Sequence, residues 1–236
     1  MGMPLTDWAK RGRPRQAAVR AGVRVEWATV GWMAIEAVVA IGAGLMARSV
    51  LLTAFGLDSV VELVTGGVLL WRLTTEAHGH PAERVEPAER QAAWIAGIGL
   101  ALVCGYIVAS TAASLATRTH PDASLPGLLL AIAAVVGMPV LAGRKRLIAR
   151  EIGSAALRGD AACSITCAYM ALTLLIGLGL NAAFGWWWAD DVAALGLLFW
   201  VGREAREALE AARAGHGGCG CGEPACAVRT AVHDPE

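Results

Sequence analysis

Residues 51–71 read LLTAFGLDSVVELVTGGVLLW, an almost unbroken apolar run with Asp58 and Glu62 in its middle. A bilayer core about 30 Å thick is crossed by roughly 20 residues of helix rising about 1.5 Å each, so this segment is long enough to span one. Helical residues four apart share a face, with side-chain roots about 5–6 Å from each other, which lets Asp58 and Glu62 converge. An Asp at the centre of a membrane helix costs about 2.5–3.5 kcal/mol on the insertion scale, and Glu is comparable. Such a pair needs a compensating partner. It is either protonated or salt-bridged for packing, or it is a functional site. No Lys, Arg or His lies at mid-depth in any predicted span, so the salt-bridge reading has no candidate and the functional reading is favoured.

The rest of the chain extends that frame. Apolar residues make up 56% of the 236, more than a soluble domain needs, and this predicts an integral membrane protein. Six segments are apolar enough to cross, at about Glu26–Ala47, Ser49–Trp71, Ala92–Ala116, Leu125–Gly143, Ala161–Phe184 and Ala189–Val201. The last is short, and Trp186, Trp187 and Trp188 extend it into an interfacial aromatic belt. The expected fold is therefore all-α, a polytopic bundle of six transmembrane helices.

Charge sets its orientation. Lys10, Arg11, Arg13, Arg15, Arg20 and Arg24 precede the first span, Arg72, Arg84 and Arg90 follow the second, and Arg144, Lys145, Arg146, Arg150 and Arg158 follow the fourth. The other three links hold only Arg48, Arg118 and no basic residue. The positive-inside rule then puts both termini in the cytoplasm, and Arg203, Arg206 and Arg213 agree. The N-terminal stretch has no apolar core followed by a small-residue cleavage site and reads as a cytoplasmic arm. The expected division is a basic arm over residues 1–25, a six-helix membrane domain over 26–210 and a Cys-rich tail over 211–236. His78 and His80 sit in a polar link that reads as a solvated loop.

The fifth segment carries a second pair at the same spacing. In LRGDAACSITCAYMAL, Cys163 and Cys167 are four apart and Asp160 lies one turn before them. Taken alone, two Cys in an apolar helix are small packing residues. Beside two carboxylates on another helix they complete a four-ligand set of the kind zinc accepts, with thiolates that also favour softer ions. Glu36, near the middle of the first span, is a candidate proton carrier, a hydrogen-bond partner that orients a metal ligand, or a fifth ligand. Asp160 is a further candidate for an accessory or proton-coupling role. The tail holds His216, Cys219, Cys221 and Cys226 in Gly-rich sequence. Closely spaced thiols in a reducing compartment point to capture of a thiophilic ion rather than to disulfides, with incidental Cys as the alternative. Cys104 is lone and reads as packing, and Asp190 and Asp191 read as acids at a helix N-terminus.

With LLTAFGLDSVVEL in the second span and LRGDAACSITCAYMAL in the fifth, the chain resembles the cation diffusion facilitators, or cation efflux proteins. LNAAFGWWWADDVAALGL resembles that family's link into its sixth helix, and the likeness covers about Trp27 to Glu210. The resemblance implies a transporter rather than an enzyme, with no permanent cofactor. It implies a divalent ion, Zn²⁺ or a softer ion such as Cd²⁺, or Co²⁺, held between helices 2 and 5 by Asp58, Glu62, Cys163 and Cys167. It implies export from the cytoplasm in exchange for protons, and the chemistry allows that competition, since ligands must lose protons to bind metal. Cys163 and Cys167 stand where the family usually has His and Asp. The chain is most similar to compact bacterial homologues that end soon after helix 6, which implies the bacterial inner (plasma) membrane. It also implies a homodimer formed through the membrane helices, with Gly97, Gly99 and Gly105 as close-packing positions. Lipid, metal and protons are the expected partners, and nucleic acid is not. Two other readings are a membrane metal sensor or accessory subunit without transport, and a membrane thiol oxidoreductase. The second is disfavoured because Cys one helical turn apart are poorly placed to bond to each other.

Overall fold

The structure is a computed structural model that describes residues 5–78, 86–117 and 121–213. Its described residues form six α-helices: α1 (Leu5–Ala47), α2 (Val50–Ala77), α3 (Glu86–Thr117), α4 (Leu125–Ile152), α5 (Ala155–Phe184) and α6 (Trp188–Arg213). Each runs beyond the apolar core that identified it. The basic arm, where described, is the first part of α1, and α4 continues two turns past Gly143. The tail residues His216, Cys219, Cys221 and Cys226, and His80, lie outside the described residues.

Local chemistry sets the turns. Ser49, Ser124 and Ser154 each accept a backbone N–H of the helix they open, from Leu52, Gly127 and Leu157 at 3.0–3.2 Å, and such a cap is worth about 1 kcal/mol. Between α4 and α5, Gly153 takes φ +70°, the left-handed conformation in which glycine pays no Cβ penalty.

The helices close into a ring in the order α1, α2, α3, α6, α5, α4, and α2 also reaches α5 and α6 across the middle. That arrangement buries α2 most: 61% of its apolar window is inside the bundle, against 50% for α5 and 33% for α1, α3 and α4. Apolar side chains cover the outside, with Val38, Leu102 and Phe199 at least two-thirds exposed, while Glu26, Glu36 and Lys145 are fully buried. This inverted distribution suits a lipid surround and a polar interior. Five helices, α1 to α5, are long and apolar enough to cross a membrane. The sixth predicted span, in α6, falls short of that measure because its second half carries Arg203, Glu204, Arg206, Glu207 and Glu210.

Long-range polar ties hold the end of the bundle where α1 gives way to α2. The Ser49 hydroxyl donates to Asp190 Oδ1 at 2.5 Å and the Leu51 N–H donates to Asp190 Oδ2 at 3.3 Å. Ser114 donates to Asp191 Oδ2 at 3.1 Å. The two acids at the start of α6 are thus inter-helix ties rather than only caps of their own helix. Gly97 and Gly99 are also used within the chain: a Cβ at either would lie 2.7–2.9 Å from Leu209 or Val61. Only Gly105 of the three faces open space.

Candidate metal centre

The position of α2 inside the ring explains how two acids survive there. Asp58 and Glu62 are 1% and 6% exposed, and none of their four carboxylate oxygens has a hydrogen-bond partner among the described residues. An unsatisfied buried polar group costs about 1–3 kcal/mol, and more when charged, so four such oxygens mark either bound protons or a place for a cation.

The surroundings sharpen the choice. Glu36 on α1 is fully buried and ties three helices together. It accepts from Trp32 Nε1 at 2.6 Å, from the Ser59 hydroxyl of α2 at 2.7 Å and from the Cys167 thiol of α5 at 3.7 Å. The charges acting on Asp58 are those of Glu204 and Glu36. Those acting on Glu62 are Asp58, Glu204, Glu36 and Asp160. Those acting on Cys167 are Glu36, Glu62, Asp58 and Glu204. Every one is negative. The part of the interior between α1, α2, α5 and α6 where these groups lie, with acids and a thiol acting on one another, has the donor chemistry of a cation site.

Asp58, Glu62, Glu36 and Cys167 lie within electrostatic reach of one another, whereas Cys163 and Asp160 are engaged elsewhere. Cys167 is a free, fully buried thiol touching Glu36. Cys163, also buried, is disulfide-bonded and is not joined to Cys167. Asp160 points into a different contact, an ion pair with Lys145. Among the described residues no three His, Cys, Asp or Glu side chains are packed tightly enough to hold an ion.

Three buried charged residues escape a reading of the sequence. Glu204 lies beyond the apolar run of α6, yet it continues the buried stripe Leu197, Val201, Ala208 and Ala212 at helical spacing and is 8% exposed. An open cleft of about 150 Å³ between α5 and α6, lined by Ala162, Thr166, Tyr169 and Trp200 and by the charged Arg203, Glu204 and Glu207, leads to it from outside. The other two are Lys145 and Glu26. Lys145, which the sequence places in the link after the fourth span, is instead fully buried, 3.2 Å from Glu26 and paired with Asp160. It was hidden because α4 outlasts its apolar run. It nevertheless serves Glu26 and Asp160, and it leaves Asp58 and Glu62 without a basic partner.

A family model described as the cation efflux transmembrane domain matches residues 27–212. The chain is also 27% identical over 176 residues to Transmembrane protein 163 of Xenopus laevis. That match covers 73% of this chain but only 60% of the relative, so the chain spans less than two-thirds of that relative's length.

Proposed function

This chain belongs to the cation efflux family, a family of cation transporters rather than enzymes, and from that premise we propose that it carries divalent metal ions out of the cytoplasm in exchange for protons. The carrying observation is the negative pocket around Asp58 and Glu62, whose oxygens have no hydrogen-bond partner among the described residues. Asp58, Glu62 and Cys167 hold the ion, and Cys163 joins them when its sulfur is a free thiol. Their placement on α2 and α5 means that small helix and side-chain movements close the set on the ion. The mixed carboxylate and thiol donors suit Zn²⁺ and the softer Cd²⁺, with Co²⁺ as a weaker substrate.

Glu36, bonded to Cys167, orients that thiol and receives its proton as metal displaces it. The ion reaches the site through the α5–α6 cleft past Glu204. That opening lies at the same end of the bundle as the basic arm, the end that the positive-inside rule assigns to the cytoplasm. α6 completes the membrane domain as a sixth, short span with both termini in the cytoplasm of a bacterial cell. Two copies pair through the outer faces of their membrane helices, where Gly105 is open. The tail residues His216, Cys219, Cys221 and Cys226 capture thiophilic ions and deliver them to the cleft.

Metal uptake into proteoliposomes, with a lumenal pH dye, tests the reading for Zn²⁺, Cd²⁺ and Co²⁺. Loss of transport in both Asp58→Ala and Cys167→Ala is the expected result. Retention in Cys167→Ala would reassign α5 to packing, and absence of any flux by the wild type would refute transport.

A further inference from the structure

Two turns from the negative pocket, toward the basic arm, lies a second buried ionic cluster that the metal centre does not use. Lys145 of α4 sits between Glu26 of α1, at 3.2 Å, and Asp160 of α5. It also donates weakly to the Ser164 hydroxyl at 3.5 Å. Lys145 and Glu26 are fully buried and Asp160 is 3% exposed. The cluster is thus one ammonium between two carboxylates, in a place that water does not reach.

The two acids are not equally satisfied. Asp160 holds the closer ion pair and hydrogen bond with Lys145, whereas neither oxygen of Glu26 accepts a hydrogen bond among the described residues. The charges acting on Glu26 are Asp160 and Lys145, and those acting on Lys145 are Asp160 and Glu26. From α2, Gly66 faces Glu26 with no side chain. With both acids ionised the cluster carries one uncompensated negative charge away from water, which is costly. We infer that Glu26, Lys145 and Asp160 form a proton-holding site distinct from the metal carboxylates, with one proton shared by the two acids in the metal-free protein.

The position of this site makes it responsive to the metal. Asp160, Ser164 and Cys167 follow one another on a single stripe of α5, and Asp160 acts electrostatically on Glu62. The step from Asp160 to Cys167 is seven residues, about 10 Å at 1.5 Å each. Asp58 and Glu62 share one proton in the empty site, so a dication that displaces it adds one net positive charge at that range and expels the proton shared by Glu26 and Asp160. An O–H bond of the carboxylic acid breaks, and the proton leaves to water at the arm end of the bundle. This coupling rests on the metal reading above; the shared proton does not.

Infrared spectroscopy of the full chain in nanodiscs, without metal at neutral pH, tests the proton. The wild type should show the carbonyl stretch of protonated carboxylic acid, shifting in heavy water. Glu26→Gln and Asp160→Asn should each lose part of it, since one acid then faces one ammonium. Lys145→Met should gain intensity, because two acids are left without a counterion. A purely structural ion pair would not give these opposite signs. Either acid variant alone decides the matter if the other fails to fold, and absence of any acid band in the wild type overturns the inference without a variant. Calorimetry with Zn²⁺ in buffers of different ionisation enthalpy tests the coupling. Glu26→Gln should still bind Zn²⁺ but release about one proton fewer per ion. An unchanged proton count overturns the coupling. Absence of Zn²⁺ binding by the wild type overturns the metal reading and the coupling together, while the infrared result still decides the shared proton.

Discussion

Replacing Asp58 by Asn keeps the shape of the side chain and removes one of two acids that must both ionise around the metal. Asp58 and Glu62 stand one turn apart on α2 with no cationic neighbour acting on either. At a separation of about 6 Å and an effective dielectric near 20, their mutual repulsion is roughly 3 kcal/mol. The empty site therefore does not hold both charges. One proton is shared by the pair, and the ion must displace it. Each proton displaced makes apparent affinity fall about tenfold for every unit by which pH is lowered. The proton of the α2 pair and the one shared by Glu26 and Asp160 together give a fall of about 100-fold per unit; Asp58→Asn removes the first and leaves a fall of about tenfold. Affinity at a fixed neutral pH should also drop by more than about 100-fold, because even a group that only hydrogen-bonds to a metal ligand is worth about 10–100-fold. Titration of nanodisc-embedded protein with Zn²⁺ across two pH units measures both quantities. If Asp58→Asn keeps the wild-type slope, the acids of α2 are not the groups that exchange protons for metal, and the reasoning fails.

Lys145→Met should destabilise the bundle by about 3–5 kcal/mol, the usual cost of stripping one partner from a buried ion pair, and thermal unfolding in detergent reads the loss. Adding Asp160→Asn to that variant should restore part of it. Gly56→Ala should also lower the unfolding temperature, by about 1–3 kcal/mol of stability. The new Cβ would stand 2.8 Å from the Ile41 backbone nitrogen of α1, which has little freedom to shift, whereas Gly42→Ala meets nothing within 4 Å and serves as the control. Truncation after Ala214 should leave Zn²⁺ binding at the membrane site intact and reduce cellular tolerance of Cd²⁺; unchanged tolerance would remove the tail from the mechanism.

Much of this molecule is legible in its sequence because the relevant physics is local. Helical segments long enough to span lipid appear as apolar runs. Asp58 and Glu62 are visible as a pair because four residues bring a helix back to the same face. Glu36 is visible as an anomaly, since a lone acid in a membrane helix is costly. What it does there is not visible: its partners Ser59 and Cys167 lie 23 and 131 residues away.

The misreadings share one cause. Counting charges at the edges of apolar runs assigns Lys145 to a link, but α4 keeps its hydrogen-bonding pattern through Ile152. One face of that extra length turns inward against Glu26 and Asp160. Glu204 is lost to the same rule at the end of α6. Asp190 resembles an N-terminal acid of α6, and only the approach of α2 reveals that it holds Ser49 and the Leu51 N–H.

Composition and 3.6-residue periodicity are properties of single helices, so a bundle of apolar helices with two acids on one face of the second is written in the chain. Which charges meet is a matter of packing between helices. The ring order places α2 at the centre and sets α1, α4 and α5 together, and the rotation of each helix is a collective result of packing all six. That is why Lys145 neutralises Glu26 and Asp160, while Asp58 and Glu62, on a neighbouring face of the same interior, are left with acids and a thiol around them.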